Sequence, residues 1–169
     1  GRMFEMFEGM AAELSAINEQ VAGLDAEIKS VARKDEDMCR LMEIPGVGPT
    51  IATALVAAVG RGEYFGKGRD LAAWLGLVPR QITTGGKTKL IGISKHGNRY
   101  LRKLFIHGAR TVLHLVKDRD TPITQWADGL KERAHVNVAA VAMANKMARI
   151  AWAVLTKGER YRPSALVVN

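Results

Sequence analysis

The segment Ile44-Pro45-Gly46-Val47-Gly48-Pro49-Thr50-Ile51-Ala52 constrains this chain more than any other. A helix approaching Pro45 must stop there, because a proline disfavours helical backbone in the residue before it. Gly46 and Gly48 allow a tight reversal that residues with a Cβ resist. Pro49 can open the next helix, since its missing N–H would have gone unpaired there. The pattern predicts a helix-hairpin-helix whose second helix buries Ile51, Ala52, Leu55 and Val56. Without Cβ atoms, Gly46 and Gly48 also leave room for a phosphate. Together with Thr50 they can aim backbone N–H groups at one anion. Such a grip holds the nucleic-acid backbone without reading its sequence. The plainer alternative is a structural turn between two packed helices.

Charge supports the first reading. The chain carries 25 Lys and Arg against 17 Asp and Glu, a net +8, and the excess is uneven. Residues 1–60 are net acidic, whereas residues 61–119 hold 13 Lys and Arg against 3 Asp and Glu. A positive field concentrated just after the hairpin suits a polyanionic partner; a solvated basic face is the bland counterpart. A hydrophobic fraction of 47% is enough for a real core and excludes wholesale disorder. Cys39 is alone, which excludes an internal disulfide and a Cys-based metal cluster. With no signal peptide and no apolar run long enough to span a bilayer, no membrane role is expected, and the cytoplasm is the expected compartment.

Ahead of the hairpin, apolar residues recur at Met3, Phe7, Met10, Leu14, Ile17, Val21, Leu24, Ile28 and Val31. The alternating spacing of four and three is a heptad seam, so a coiled-coil helix is expected over residues 1–35. A single helix cannot bury so narrow a seam by itself. It must pair with a second copy, giving a homo-oligomer, or fold back on this chain. Residues 36–160 are expected to form a mainly α-helical domain, and residues 161–169 a tail. Within that domain the periodicity predicts helices over 38–43, from Pro49, over 69–75, 98–116, near Trp126, and over 138–155. Arg80 to Lys89 lacks helical period and reads as an exposed loop or a short hairpin around Gly85-Gly86. Ser94 is placed to cap the helix that follows.

The acids of the basic half are few: Glu63, Asp70 and Asp118, with Asp120 and Asp128 just beyond. None pairs on a plausible strand, so no metal site is expected in this chain. His107 and His114 lie two helical turns apart, too far for one metal, and read as core or groove residues. The hydroxyls remain. Thr83, Thr84 and Ser94 lie in or beside a glycine-rich loop flanked by Lys87, Lys89 and Lys95. That setting can present a hydroxyl to a phosphate. The residues by themselves are explained at least as well as loop threonines and a helix cap.

Three blocks add to this: Leu75-Gly76-Leu77-Val78-Pro79-Arg80-Gln81, then Thr83-Thr84-Gly85-Gly86-Lys87, then Gly92-Ile93-Ser94-Lys95-His96-Gly97-Asn98-Arg99-Tyr100-Leu101-Arg102. With Ile44 to Pro49 ahead of them, they resemble the C-terminal transposase domain of Piv/MooV-type insertion-sequence transposases over about residues 38–116. The resemblance implies a bacterial, nucleoid-associated DNA recombinase. Its divalent metal would bind an N-terminal RuvC-like domain with an Asp-Glu-Asp-Asp site. This chain would be an excised fragment lacking that domain, holding no cofactor and inactive alone. DNA is the implied partner, and some members are guided by a structured RNA encoded by the element. The family places a nucleophilic serine after the Pro-Arg block. Here that stretch reads Thr83-Thr84-Gly85-Gly86, so Thr83, Thr84 and Ser94 share the candidacy. Gly46, Gly48, Thr50, Arg80, Lys87, Lys89, Lys95, Asn98, Arg99, Arg102 and Lys103 are the expected nucleic-acid contacts. The alternative is a non-catalytic helix-hairpin-helix module of a repair or recombination protein.

Overall fold

A computed structural model describes residues 1–115 and 121–163. The expected helix end at Val116, the acids Asp118 and Asp120, and most of the expected tail lie outside the described residues. The element order is α1 Arg2–Lys34, α2 Glu36–Met42, α3 Pro49–Val59, α4 Gly68–Trp74, β1 Pro79–Thr84, β2 Lys87–Ile93, α5 Arg99–Leu115, α6 Pro122–Lys131 and α7 Val136–Lys157. The described chain is mostly helical, with one small two-stranded sheet.

The centre of the fold is α7. Ala139, Ala140, Met143, Ala144, Met147, Ala148, Ala151 and Leu155 are buried along it. Its run of alanines lets α5 and α4 approach closely, while α2 and α6 close the remaining sides. By length and composition α7 is apolar enough to cross a membrane, contrary to the expectation that no run would be. In the fold it is the core helix. Gly158, in the left-handed conformation at φ 62°, ends it. Into this core α5 sends Leu101, Phe105, Ala109, Val112 and Leu113, and α3 sends Ile51, Ala52 and Leu55.

The break between α1 and α2 is a single extended residue, Asp35, whose carboxylate accepts from the Met38 amide at 2.9 Å. This is an N-cap, satisfying one of the amides a new helix leaves unpaired. Upstream of it α1 stands almost free. Only its C-terminal end packs, where Ala32 is fully buried near α3. Leu14 is 60% exposed, Ile17 56% and Leu24 60%, so most of the heptad seam is open to solvent, with Ile28 half-buried toward its C-terminal end. The helix is roughly 50 Å long at 1.5 Å per residue.

From α2 the chain passes through Ile44 and Val47, both buried, to Gly48, the N-cap of α3. The helix α3 begins at Pro49 as expected, α2 runs Glu36–Met42 against an expected 38–43, and Val56, expected to be buried, is half-buried. A second pin fixes the loop after α3. The Trp152 indole on α7 donates to the carbonyls of Gly62 and Phe65 at 3.2 and 3.1 Å. Phe65 then packs its ring against Trp74 at 5.8 Å. This seats α4 against α7, and α4 hands the chain to β1.

Candidate nucleic-acid interface

Strands β1 and β2 form an antiparallel arm in which most side chains are exposed. Its turn is Gly85-Gly86, both with positive φ, at 57° and 75°. Two central residues with positive φ make a turn whose twist matches that of the flanking strands, which is why glycines stand there. Threonine and isoleucine on both sides favour extended backbone. The register pairs Thr84 with Lys87, Thr83 with Thr88, Ile82 with Lys89, Gln81 with Leu90 and Arg80 with Ile91. Directly opposed residues share a face, and successive residues alternate faces. Thr84, Lys87, Lys89 and Arg80 therefore lie on one face. Thr83 lies on the other, its hydroxyl 3.4 Å from that of Thr88. The sequence could not separate the two threonines; the register does.

The root of this arm is locked. The amides of Ser94, Lys95 and Asn98 donate to the carbonyls of Val78, Gly76 and Trp74 at 2.9, 3.2 and 3.3 Å. One guanidinium nitrogen of Arg102 donates to the carbonyls of Leu75 and His96, both at 3.0 Å. Arg102, expected as a nucleic-acid contact, is thus also a clamp on the root. A Cβ at Gly97 would lie 1.8 Å from the Trp74 carbonyl oxygen, so no other residue fits at that approach. Lys95 takes a left-handed φ of 59° and stays exposed. Ser94 is half-buried at the root, away from the turn that carries Thr84. It does not cap α5. Asn98 does, its side-chain oxygen accepting from the Leu101 amide at 3.0 Å, because it stands three residues ahead of that amide and Ser94 stands too far back.

On α5, Arg99, Lys103, His107, Arg110 and His114 are all exposed, at spacings of four, four, three and four. They form one stripe along the solvent side of the helix. His107 and His114 therefore belong to a basic face and not to the core. Arg110, His107 and His114 were not among the expected contacts. The helical spacing that links them to Arg99 and Lys103 was the available signal. Arg110 also reaches the Asn137 side chain on α7 at 3.3 Å.

At the first turn, the amides of Val47, Ile51 and Ala52 are bonded within the turn itself. Gly46 is pressed against α5, where an added Cβ would lie 2.6 Å from the Gly108 carbonyl oxygen. Gly48 is open on its Cβ side, and Thr50 is half-buried beside it. Among the described residues no three His, Cys, Asp or Glu side chains converge on a point where a metal ion would sit.

Residues 38–122, which contain the turn, the arm and α5, match the family model described as Transposase IS116/IS110/IS902 family. The chain is 44% identical over 161 residues to a probable family 20 transposase of Pseudomonas aeruginosa, covering 95% of this chain and 48% of that protein. It is 44% identical over 164 residues to the transposase for insertion sequence element IS1111A of Coxiella burnetii, covering 97% and 45%. It is 42% identical over 140 residues to the transposase for insertion sequence element IS1328 of Yersinia enterocolitica, covering 83% and 42%. The fold and its basic arm thus go with insertion-sequence transposases as a class. The chain belongs to the IS116/IS110/IS902 family of transposases. It spans about half the length of the curated relatives it matches.

Proposed function

We propose that this chain is the nucleic-acid-handling part of an insertion-sequence transposase, and that its β-hairpin arm presents a hydroxyl to the DNA backbone. The observation that carries the reading is the shared face of Thr84, Lys87, Lys89 and Arg80 on an exposed arm with a locked root. The hydroxyl oxygen of Thr84, with Thr83 and Ser94 as the other candidates, attacks a backbone phosphorus. One phosphodiester bond breaks as a protein–phosphate ester forms, and the released sugar hydroxyl takes up a proton. The balance is one ester exchanged for another. The nearby lysines stabilise charge that grows on the phosphate.

The other parts support this chemistry. The exposed α5 stripe lies against phosphates, and the Ile44 to Thr50 turn acts as a helix-hairpin-helix grip through the amides of Gly48 and Thr50. Self-association through α1 brings protomers together. The acidic, metal-binding half of the reaction belongs to a RuvC-like domain outside this chain. A structured RNA guide would be held by the same phosphate-binding surfaces.

The test is salt-dependent binding. Arg80→Gln, Lys87→Gln and Lys89→Gln together should weaken binding to DNA of any sequence. They should reduce the slope of log affinity against log salt by about one for each cation removed. A folded triple variant with unchanged affinity and slope overturns the role of the arm.

A further inference from the structure

A cleft of about 440 Å³ opens between α4 and α7 at the foot of the arm. Lys67, Arg69 and Arg149 line it, with Asp70 as its acid and with Val78, the residue just before β1. Asn145 stands on its wall and donates to the Leu77 carbonyl at 3.3 Å, tying the cleft to the start of the arm. The floor is rigid: α4 touches α7 so closely that a Cβ on Gly68 would lie 3.0 Å from the Arg149 backbone. Lys146 stands one turn before Arg149 on α7, its ammonium 4.5 Å from the centre of the Trp126 ring. Among the described residues, none of Lys67, Arg69, Lys146 and Arg149 forms an ion pair. Asp70 is turned instead toward the Lys67 amide, at 3.2 Å.

Three cations without an ion pair among the described residues thus line one concave site beside a single acid, Asp70. Burial and the neighbouring Arg149 both hold the Lys146 pKa below the usual lysine value, in that order of weight. An anion in the cleft would meet Lys67, Arg69 and Arg149 together. The opening is far too small for a duplex and is about the size of a short piece of one strand. Val78 on its lining directly precedes the arm, whose Arg80, Lys87 and Lys89 share one face.

We infer that the α4–α7 cleft is a second phosphodiester site, which receives the sugar-phosphate backbone of a single strand as it leaves the arm. The inference rests on the reading of the arm as a nucleic-acid surface and extends it to residues scattered between positions 67 and 149. DNA and RNA present the same backbone charge, so the chemistry fixes the ligand as a polynucleotide strand. Comparison of the two sources belongs to the test.

The experiment measures the affinity of the full chain for single-stranded DNA, single-stranded RNA and duplex DNA of equal length over a salt series. The variants are Lys67→Gln/Arg69→Gln, both exposed and safe for folding, and Arg149→Gln. Lys34→Gln on α1 controls for a general loss of charge. The double variant should reduce the salt slope by one to two units on single strands, against little or no change for the control. A photoreactive benzoyl-phenylalanine in place of Ala73, on the cleft wall, should cross-link to the strand, whereas the same group in place of Ala12 on α1 should not. Equal losses on DNA and RNA assign a general backbone site; a loss on one alone assigns the site to that polymer. Unchanged slopes with no cross-link at position 73 overturn the cleft while leaving the arm intact, provided the arm variants still lose affinity. A wild-type chain that binds none of the three polymers overturns both.

Discussion

Gly46 and Gly108 meet backbone to backbone: a Cβ on Gly108 would lie 2.2 Å from the Gly46 carbonyl oxygen, and one on Gly46 would lie 2.6 Å from the Gly108 carbonyl oxygen. The contact joins the turn between α2 and α3 to the middle of α5, the helix that carries the basic stripe. Gly46 also has a φ of 83°, which only glycine adopts without strain. Gly48, two residues on, has φ −96° and open space where its Cβ would be. Glycines that look equivalent in the sequence thus do different things. Gly46 is required by packing, and Gly48 is free to face a ligand.

That difference is measurable. Gly46→Ala and Gly108→Ala should each destabilise the fold. Overpacking costs about 1–3 kcal/mol, and the left-handed backbone at position 46 adds about 1–2 kcal/mol. Each kcal/mol should lower Tm by roughly 2–4 °C in a chain of this size. Gly48→Ala should cost at most about 1 kcal/mol, the ordinary N-cap preference. Thermal melts followed by circular dichroism decide it. Equal Tm values for the Gly46 and Gly48 variants would show that the contact with α5 carries no stability.

The spacing of Leu101, Phe105 and Val112 marked α5, and that of Ala144, Met147, Ala148 and Ala151 marked α7, because helical period is a local property. Gly85-Gly86 marked the only sharp turn in a polar stretch, and a hairpin stands there. The clearance at Gly46 was legible, but not that it serves Gly108, since that partner is set by how α5 packs. Ser94 looked like a cap because it is a hydroxyl near a helix start. Asn98 has the right offset from the Leu101 amide and takes the position. Lys67 and Arg149 carry no shared signal at all, and only the packing of α4 on α7 brings them to one cleft.

The exposed seam of α1 predicts self-association. Placing glutamate at Leu14, Val21 and Ile28 should abolish it, since each apolar side chain contributes about 1.5–3 kcal/mol when fully buried. Analytical ultracentrifugation of the chain should show a concentration-dependent dimer for the wild type and a monomer for the triple variant. The Tm of the helical core should change little in a variant that remains folded, because Leu14 and Val21 are exposed and only Ile28 is half-buried. A wild type that stays monomeric at high concentration would sink the idea of pairing through α1.

The arm can be disabled without touching the core. Gly85→Ala with Gly86→Ala forces two residues with a Cβ into positive φ, at about 1–2 kcal/mol each. The strands should fray, and NMR contacts across the Thr83–Thr88 pair should weaken. The global Tm should hardly move, because the arm buries almost nothing. DNA affinity should fall with it. A frayed arm with full affinity would assign binding to α5 and the first turn alone.

The covalent step gives the sharpest test. In the full-length transposase, one of Thr84, Thr83 and Ser94 should become joined to DNA. The fold ranks them. Thr84 sits at the tip beside Gly85, on the face of Lys87, Lys89 and Arg80, where a phosphate drawn to those cations meets its hydroxyl. Thr83 faces away and is 3.4 Å from the Thr88 hydroxyl, and Ser94 is half-buried at the locked root. Thr84→Ala should therefore abolish the protein–DNA adduct on a cleavable substrate while leaving binding nearly intact. Thr84→Ser should restore it, because serine keeps the hydroxyl and removes the β-branch that crowds it. Thr83→Ala and Ser94→Ala should still form the adduct. Adduct formation by Thr84→Ala together with its loss in either of the other two would move the nucleophile to that residue. Survival of the adduct in all three would leave the arm as a phosphate-binding surface and place the nucleophile elsewhere in the enzyme.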